Sequence, residues 1–318
     1  MKLSRIASFS GVVIISLSLI SAPLLAADRQ SPTAARKGAG LTHTPYIPAA
    51  KLKPFLDPKA LSLQSAAAVV YDVRDGEVLY AQEADMQTPI ASLTKLMTAV
   101  VVLERGSSLG DTLQINEADR DRLRNSGSRL QMGTKMTRGD ALLMALVASD
   151  NRAAAALART YPGGTEAFVR AMNAKAKKLG MTRTRYADST GLDEQNVSTA
   201  QDLVKLIGVA YKNPTIRKMS STPKGSITDL RTGRKVEFFN TNGLVRQKSW
   251  DVNLSKTGYI APAGHCLLMH VEIGGRPLII VLLKSWGKYS RIGDANRIKK
   301  WLVNNEKRAR RVSTIARS

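Results

Sequence analysis

The side chains able to do chemistry in this chain are serines and lysines. Its 318 residues include three His (His43, His265, His270) and one Cys (Cys266), too few for an imidazole-rich metal site, a zinc site built on paired thiolates, or an intramolecular disulfide. A nucleophilic serine here needs a base other than histidine. Lysine can serve if burial or a nearby cation lowers its pKa. Ser-x-x-Lys on a helix supplies such a pair, because positions i and i+3 share a face. The spacing occurs at Ser92/Lys95, Ser221/Lys224 and Ser285/Lys288. Pro223 disfavours helix in the second, and Gly287 with its preceding strand pattern disfavours it in the third. The first sits in Pro89-Ile90-Ala91-Ser92-Leu93-Thr94-Lys95-Leu96-Met97, which opens an apolar helical pattern through Val100 and Leu103. That places Ser92 in a first turn, where the helix dipole and free N–H groups favour a developing anion. For this pair alone, an N-cap serine and a solvated lysine are the plainer reading.

Two further triplets change the balance. Ser149-Asp150-Asn151 ends an apolar helical run from Ala141 to Ala148, and Lys256-Thr257-Gly258 lies towards the end of a strand-like run. Ser-x-x-Lys, Ser-Asp-Asn and Lys-Thr-Gly, in that order, form the signature of penicillin-binding proteins and class A β-lactamases. Any one could be a cap or a turn; three in order and in fitting contexts point to a serine acyl-transfer site.

The chain resembles the low-molecular-mass penicillin-binding proteins, serine D,D-peptidases of the bacterial wall, and among them the D-alanyl-D-alanine endopeptidases of the penicillin-binding protein 7 type. The resemblance runs from about Ala66 to about Asn304. Beyond the triplets it is carried by Asn151-Arg152-Ala153-Ala154-Ala155, Tyr161-Pro162-Gly163-Gly164, Ala171-Met172-Asn173-Ala174-Lys175-Ala176 and Ala263-Gly264-His265-Cys266-Leu267. It implies that Ser92 attacks a D-Ala carbonyl and Lys95 takes its proton. Lys256 would help keep Lys95 neutral. Ser149 would pass a proton to the leaving amine, Asn151 would orient the substrate amide, and Lys256 with Thr257 would hold the substrate's carboxylate end. Gly258 would let the peptide approach the strand, and the N–H groups of Ser92 and Tyr259 would form the oxyanion hole. The implied substrate is the D-Ala–diaminopimelate cross-link of peptidoglycan, with β-lactams as acylating inhibitors and no metal or cofactor. A D,D-carboxypeptidase would use the same residues. Carboxypeptidases of this kind often carry a second C-terminal domain, for which little chain follows Trp301. A class A β-lactamase would need a deacylating Glu-x-x-Leu-Asn segment, which is missing between Asn151 and Lys256.

The elements that must position these groups follow from local pattern. Ala66–Val73 and Glu77–Ala81 read as a hairpin around Arg74-Asp75-Gly76. A helical middle follows, with one helix bounded by Thr165 and Gly180 and another opened by Ser198 with Gln201 and stopped at Asn213-Pro214. Strand patterns return at Val252–Ile260, Cys266–Ile273 and Pro277–Leu283, the last two joined at Gly274-Gly275. Ile292, Ala295, Ile298, Trp301 and Leu302 then share one helical face. The fold class expected is α+β, like that of β-lactamases and D,D-peptidases: an antiparallel sheet built from both chain ends with a helical subdomain between. His270 and Cys266, four apart on one strand, share a face and read as packing residues. His265 reads as a turn or strand-end residue.

The termini and the charge bear on location. Lys2 and Arg5, the apolar stretch Val12–Leu25 and Ala26-Ala27 form a secretory signal layout over residues 1–27, too short to span a bilayer as a helix. Residues 28–64 read as a basic, Pro/Ala-rich linker, 65–304 as the peptidase domain, and 305–318 as a basic, solvated tail. The expected location is the periplasm. A net charge of +23 calls for anionic surroundings. Export and the lack of a recognised module argue against nucleic acid, leaving peripheral contact with anionic wall or membrane surfaces, or a non-enzymatic wall-binding role, as further readings.

Overall fold

The computed structural model describes residues 46–315; the signal layout at residues 1–27 lies outside them. Five strands form the main sheet: β1 (Ser65–Asp72), β2 (Glu77–Gln82), β3 (Asp251–Ile260), β4 (Gly264–Ile273) and β5 (Arg276–Ser285). Their order is β2-β1-β5-β4-β3, all neighbours antiparallel. The first strand thus lies beside the last, Val69 facing Val281, and the sheet closes from both ends of the chain. Strand β3, carrying Lys256-Thr257-Gly258, is an edge.

Both faces of this sheet are covered, which is why β1 and β5 read as continuous apolar runs. On one face Ala67, Val69, Leu254, Cys266, Leu268 and Val281 join the core of the helical region. That region contains α1 (Thr94–Glu104), α2 (Arg138–Val147), α3 (Asn151–Arg159), α4 (Gly164–Lys178), α5 (Ala200–Lys212) and α6 (Pro214–Ser220). On the other face Val70, Leu267, Met269, Ile280 and Leu282 pack against Ala295, Ile298, Trp301 and Leu302 of α7 (Ser290–Ile315). Helix α1 is buried almost throughout, Thr94 to Val102, and carries Lys95 into the interior. Cys266 is buried on the helical face, and His270, on the same face of β4, stacks on Tyr211 of α5 with ring centroids 3.6 Å apart.

Three expectations need correction. Residues 46–64, read as the end of a linker, instead form short helical turns, Ala49–Leu52, Lys53–Phe55 and Pro58–Ala60, that bury Ala49, Leu52, Leu56 and Leu61 in the α7 side of the core. Tyr46 anchors this segment: its hydroxyl bonds to Asp72 and Asp75, and its ring lies 4.5 Å below the Arg276 guanidinium. The basic tail is not wholly solvated, since α7 continues to Ile315 and buries Glu306 and Ala309. Two helix caps are shifted, by two residues and by one. Helix α4 begins after Gly163, whose φ of +82° suits glycine, and Thr199, not Ser198, caps α5 by accepting the Asp202 N–H.

Candidate active site

Ser92 sits in a 3-10 turn, Ala91–Leu93, that leads into α1. It caps nothing there. Its Oγ instead accepts a hydrogen bond from Lys95 Nζ at 2.8 Å. Ala91, immediately before it, has φ of +48°, a left-handed conformation that a non-glycine residue holds only where surrounding structure enforces it. The enforcing contacts come from two glycines. A Cβ on Gly258 of β3 would stand 2.9 Å from the Ile90 carbonyl and 3.0 Å from the Ser92 nitrogen; one on Gly191 would overlap the Ala91 carbonyl. The Cβ position of Gly258 is therefore filled by the chain's own turn. Both glycines let the serine turn seat against its neighbours.

Lys95 is fully buried, and its Nζ has three oxygen partners: Ser92 Oγ, Asn151 Oδ1 at 2.6 Å and the Thr190 carbonyl at 2.7 Å. A neutral amine has two N–H bonds and one lone pair. With Asn151 Oδ1 and the Thr190 carbonyl fixed as acceptors, loss of a proton from Nζ reverses the Ser92 bond, and the hydroxyl then donates to the lone pair. Burial, working against the attraction of Asp188, Asp150 and Asp121, brings the Lys95 pKa down from 10.5 to about 8. Such a lysine is partly neutral near physiological pH, as a base must be.

A second group adjoins the first. Lys256, also buried, donates from Nζ to Ser149 Oγ at 2.7 Å and to the Thr257 carbonyl at 2.9 Å. Burial first, then the charges of Lys95 and Arg291, push its pKa well below the usual lysine range. Two lysines this close resist being cationic together. Ser149 has φ of +58° and lies between α2 and α3. Asp150 caps α3, accepting the Ala153 N–H at 3.0 Å and a bond from Ser128 Oγ at 2.7 Å. The middle residue of that triplet is thus a structural cap, while Ser149 and Asn151 face the lysines. Thr257 Oγ1 donates to Thr241 Oγ1 at 2.7 Å. Tyr259 follows on the edge strand with its side chain exposed and stacked on His265.

Ser92, Lys95 and Asn151 are therefore one bonded group, and Ser149, Lys256 and Thr257 another. The two meet through the Lys95–Lys256 charge pair and the Gly258–Ser92 backbone contact. The competing Ser221/Lys224 and Ser285/Lys288 spacings are not helical: Ser221 follows α6 as its C-cap and Lys224 opens a strand, while Ser285 ends β5.

Sequence reading missed several supporting groups. The Thr190 carbonyl is presented by a loop folded around Asp188, whose carboxylate accepts the N–H groups of Thr190, Gly191 and Asp193 at 2.7, 2.6 and 2.9 Å and Asn196 Nδ2 at 2.9 Å. Ser126 Oγ accepts Asn151 Nδ2 at 2.7 Å and so fixes the amide with its oxygen towards Lys95. A backbone carbonyl leaves no signature in a sequence; only the Asp188-Ser189-Thr190-Gly191 turn chemistry hinted at this loop.

A buried serine–lysine pair joined to a second serine–lysine pair beside an edge strand, under a sheet closed from both chain ends, defines a serine-type acyl-transfer enzyme. The family profile described as D-alanyl-D-alanine carboxypeptidase matches residues 55–286, and the chain belongs to that family of serine peptidases. The D-alanyl-D-alanine endopeptidase of Pseudomonas aeruginosa is 43% identical over 249 residues, 78% of this chain and 80% of that protein. The Escherichia coli protein of the same description is 41% identical over 240 residues, 76% and 77% of the two chains. The crystal structure of the Streptomyces K15 DD-transpeptidase superposes with a TM-score of 0.71 at 28% identity, covering 76% of this chain and 98% of that one.

Proposed function

We propose that the enzyme cleaves D-Ala–diaminopimelate cross-links of peptidoglycan through an acyl-enzyme on Ser92. The observation that carries this reading is the Lys95 Nζ contact with Ser92 Oγ, made by a buried lysine whose other two acceptors aim its lone pair at the hydroxyl. Lys95 takes the Ser92 proton as Oγ attacks the D-Ala carbonyl, and the oxyanion develops against the N–H groups of Ser92 and Tyr259. Ser149, bonded to Lys256, delivers a proton to the leaving amine. Asn151 and Thr257 orient the substrate amide and its carboxylate end, and water then releases the acyl group. A β-lactam acylates Ser92 in the same way. The endopeptidase preference rests on the names of the two bacterial relatives; the family description favours a second reading, a carboxypeptidase removing terminal D-Ala.

Incubation with a D-Ala–diaminopimelate cross-linked dimer and, separately, a pentapeptide monomer separates the two by product mass. Dimer converted to monomers, with no conversion by Ser92→Ala, is the expected result; loss of terminal D-Ala alone would make the enzyme a carboxypeptidase. The signal layout of residues 1–27 supports export to the periplasm. Among the described residues no helix is long and apolar enough to cross a membrane. The charge of +23 supports peripheral contact with anionic wall or membrane surfaces.

A further inference from the structure

The end of the sheet next to Ser92 carries exposed aromatic rings for which the acyl-transfer chemistry has no use. Tyr259, one residue past Gly258, is 58% exposed, and its ring stacks on His265 with centroids 4.3 Å apart and planes at 22°. His265 pairs with Tyr259 on one side and Ser285 on the other, so Trp286, the residue after Ser285, leaves the sheet at this same end. Trp286 is 90% exposed and Tyr289 73% exposed. Lys288 Nζ lies 5.6 Å from the centre of the Tyr289 ring. The segment is held in shape by Lys284, at φ of +53°, and by the Ser290 hydroxyl accepting the Gly287 N–H at 3.1 Å. Aromatic surface kept in water beside a reaction centre marks a place where something flat and partly apolar is bound.

We propose that Tyr259, Trp286 and Tyr289, with Lys288, form a shelf that binds the amino-sugar glycan strand to which the cleaved peptide is attached. The inference rests on the D,D-peptidase reading for its substrate. A pyranose ring offers an apolar C–H face that suits the negative face of an aromatic ring. Lys288 and Arg291 supply charge complementary to the carboxylates of neighbouring stem peptides. Continuity matters most: the shelf adjoins β3 beyond Gly258, where a peptide held at Ser92 must connect to its polymer. A lipid surface fits less well, because residues 284–291 contain no Leu, Ile or Val to enter an acyl layer. Holding the polymer raises the effective concentration of cross-links at Ser92 without altering the chemical step.

The test is the double substitution Trp286→Ala/Tyr289→Ala, which changes two exposed side chains outside the serine–lysine groups. In a Ser92→Ala background, cosedimentation with purified sacculi in about 0.5 M salt, where surface charge is screened, should weaken about tenfold. Soluble glycan strands stripped of peptide should compete with the parent protein. With Ser92 present, acylation by a labelled penicillin and cleavage of a sugar-free peptide dimer should stay within about twofold, while release of fragments from sacculi falls. Unchanged sedimentation, no competition by glycan, or equal loss on penicillin and sacculi would overturn the shelf. Loss of binding to anionic vesicles with sacculus binding intact would overturn it in favour of a lipid surface. A parent protein that binds glycan through the shelf yet forms no penicillin adduct would overturn the peptidase reading and leave the shelf standing.

Discussion

On the proposed mechanism, Lys95 sets the pH behaviour of the site. Its pKa is depressed to about 8, so its neutral fraction falls tenfold for each pH unit below that value. The second-order rate of acylation by a β-lactam is therefore expected to climb about tenfold from pH 6 to pH 7 and to level off above about 8. A rate flat across that range would remove Lys95 as the base. Asn151 tests the same point from the other side. Asn151→Asp puts a carboxylate where Oδ1 now stands 2.6 Å from Nζ, and an opposite charge at that distance raises a lysine pKa by about 1–3 units. The half-maximal pH should move up accordingly, and acylation at pH 7 should fall at least about tenfold; an unmoved profile would contradict the geometry. At this scale the sequence was informative, because Ser92, Lys95, Ser149, Asn151, Lys256 and Thr257 lie in three short triplets. It was silent on Thr190, which contributes a carbonyl, and on Ser126 and Thr241, distant serine and threonine residues in no motif.

At the scale of elements, the site depends on how tightly the Ala91–Leu93 turn is pressed between β3 and the Asp188 loop. Gly191→Ala adds a Cβ that overlaps the Ala91 carbonyl, at a residue whose φ is +80°. It should lower stability by about 2–4 kcal/mol and abolish penicillin labelling, checked by thermal unfolding and a gel-based label. Gly258→Ala is the milder case, since its nearest contacts are 2.9–3.1 Å and not an overlap, but the atoms met are backbone of the Ala91–Leu93 turn, which must shift. There labelling should fall and the melting temperature should drop by less than in Gly191→Ala, because the displaced atoms are those of the turn that carries Ser92. Strand and helix positions were readable because β1, β4 and β5 alternate between two buried faces and α5 is stopped at Asn213-Pro214, where α6 begins. The start of α5 was misplaced by a residue because Ser198 and Thr199 are both capable caps, and only the folded turn selects Thr199.

At the scale of the whole molecule, the unexpected feature is the segment before β1. Ala49, Leu52, Leu56 and Leu61 lie in or at the ends of three short turns, so no single helical or strand period links them, and the Pro and Lys residues between them mimic a linker. They cover the sheet face opposite the helical region, and Tyr46 completes a buried ion group in which Arg276 pairs with Asp72 and with Glu306 at 2.7 Å. A chain starting at residue 65 should consequently melt at least about 10 °C below one starting at residue 46, given about 1.5–3 kcal/mol for each large apolar side chain exposed. Equal melting temperatures would mean the segment is not part of the folded core. Arg276→Met, which strands Asp72 and Glu306 without their cation, should cost about 3–5 kcal/mol in the same assay.

The central claim, that Ser92 is the nucleophile of a serine–lysine acyl transfer, is tested most directly by incubating the protein with benzylpenicillin at pH 8 and locating the adduct by peptide mass mapping. The expected result is one penicilloyl group per chain, on the peptide containing Ser92, with none formed by Ser92→Ala. An adduct on any other residue, or undiminished labelling of Ser92→Ala, would contradict it.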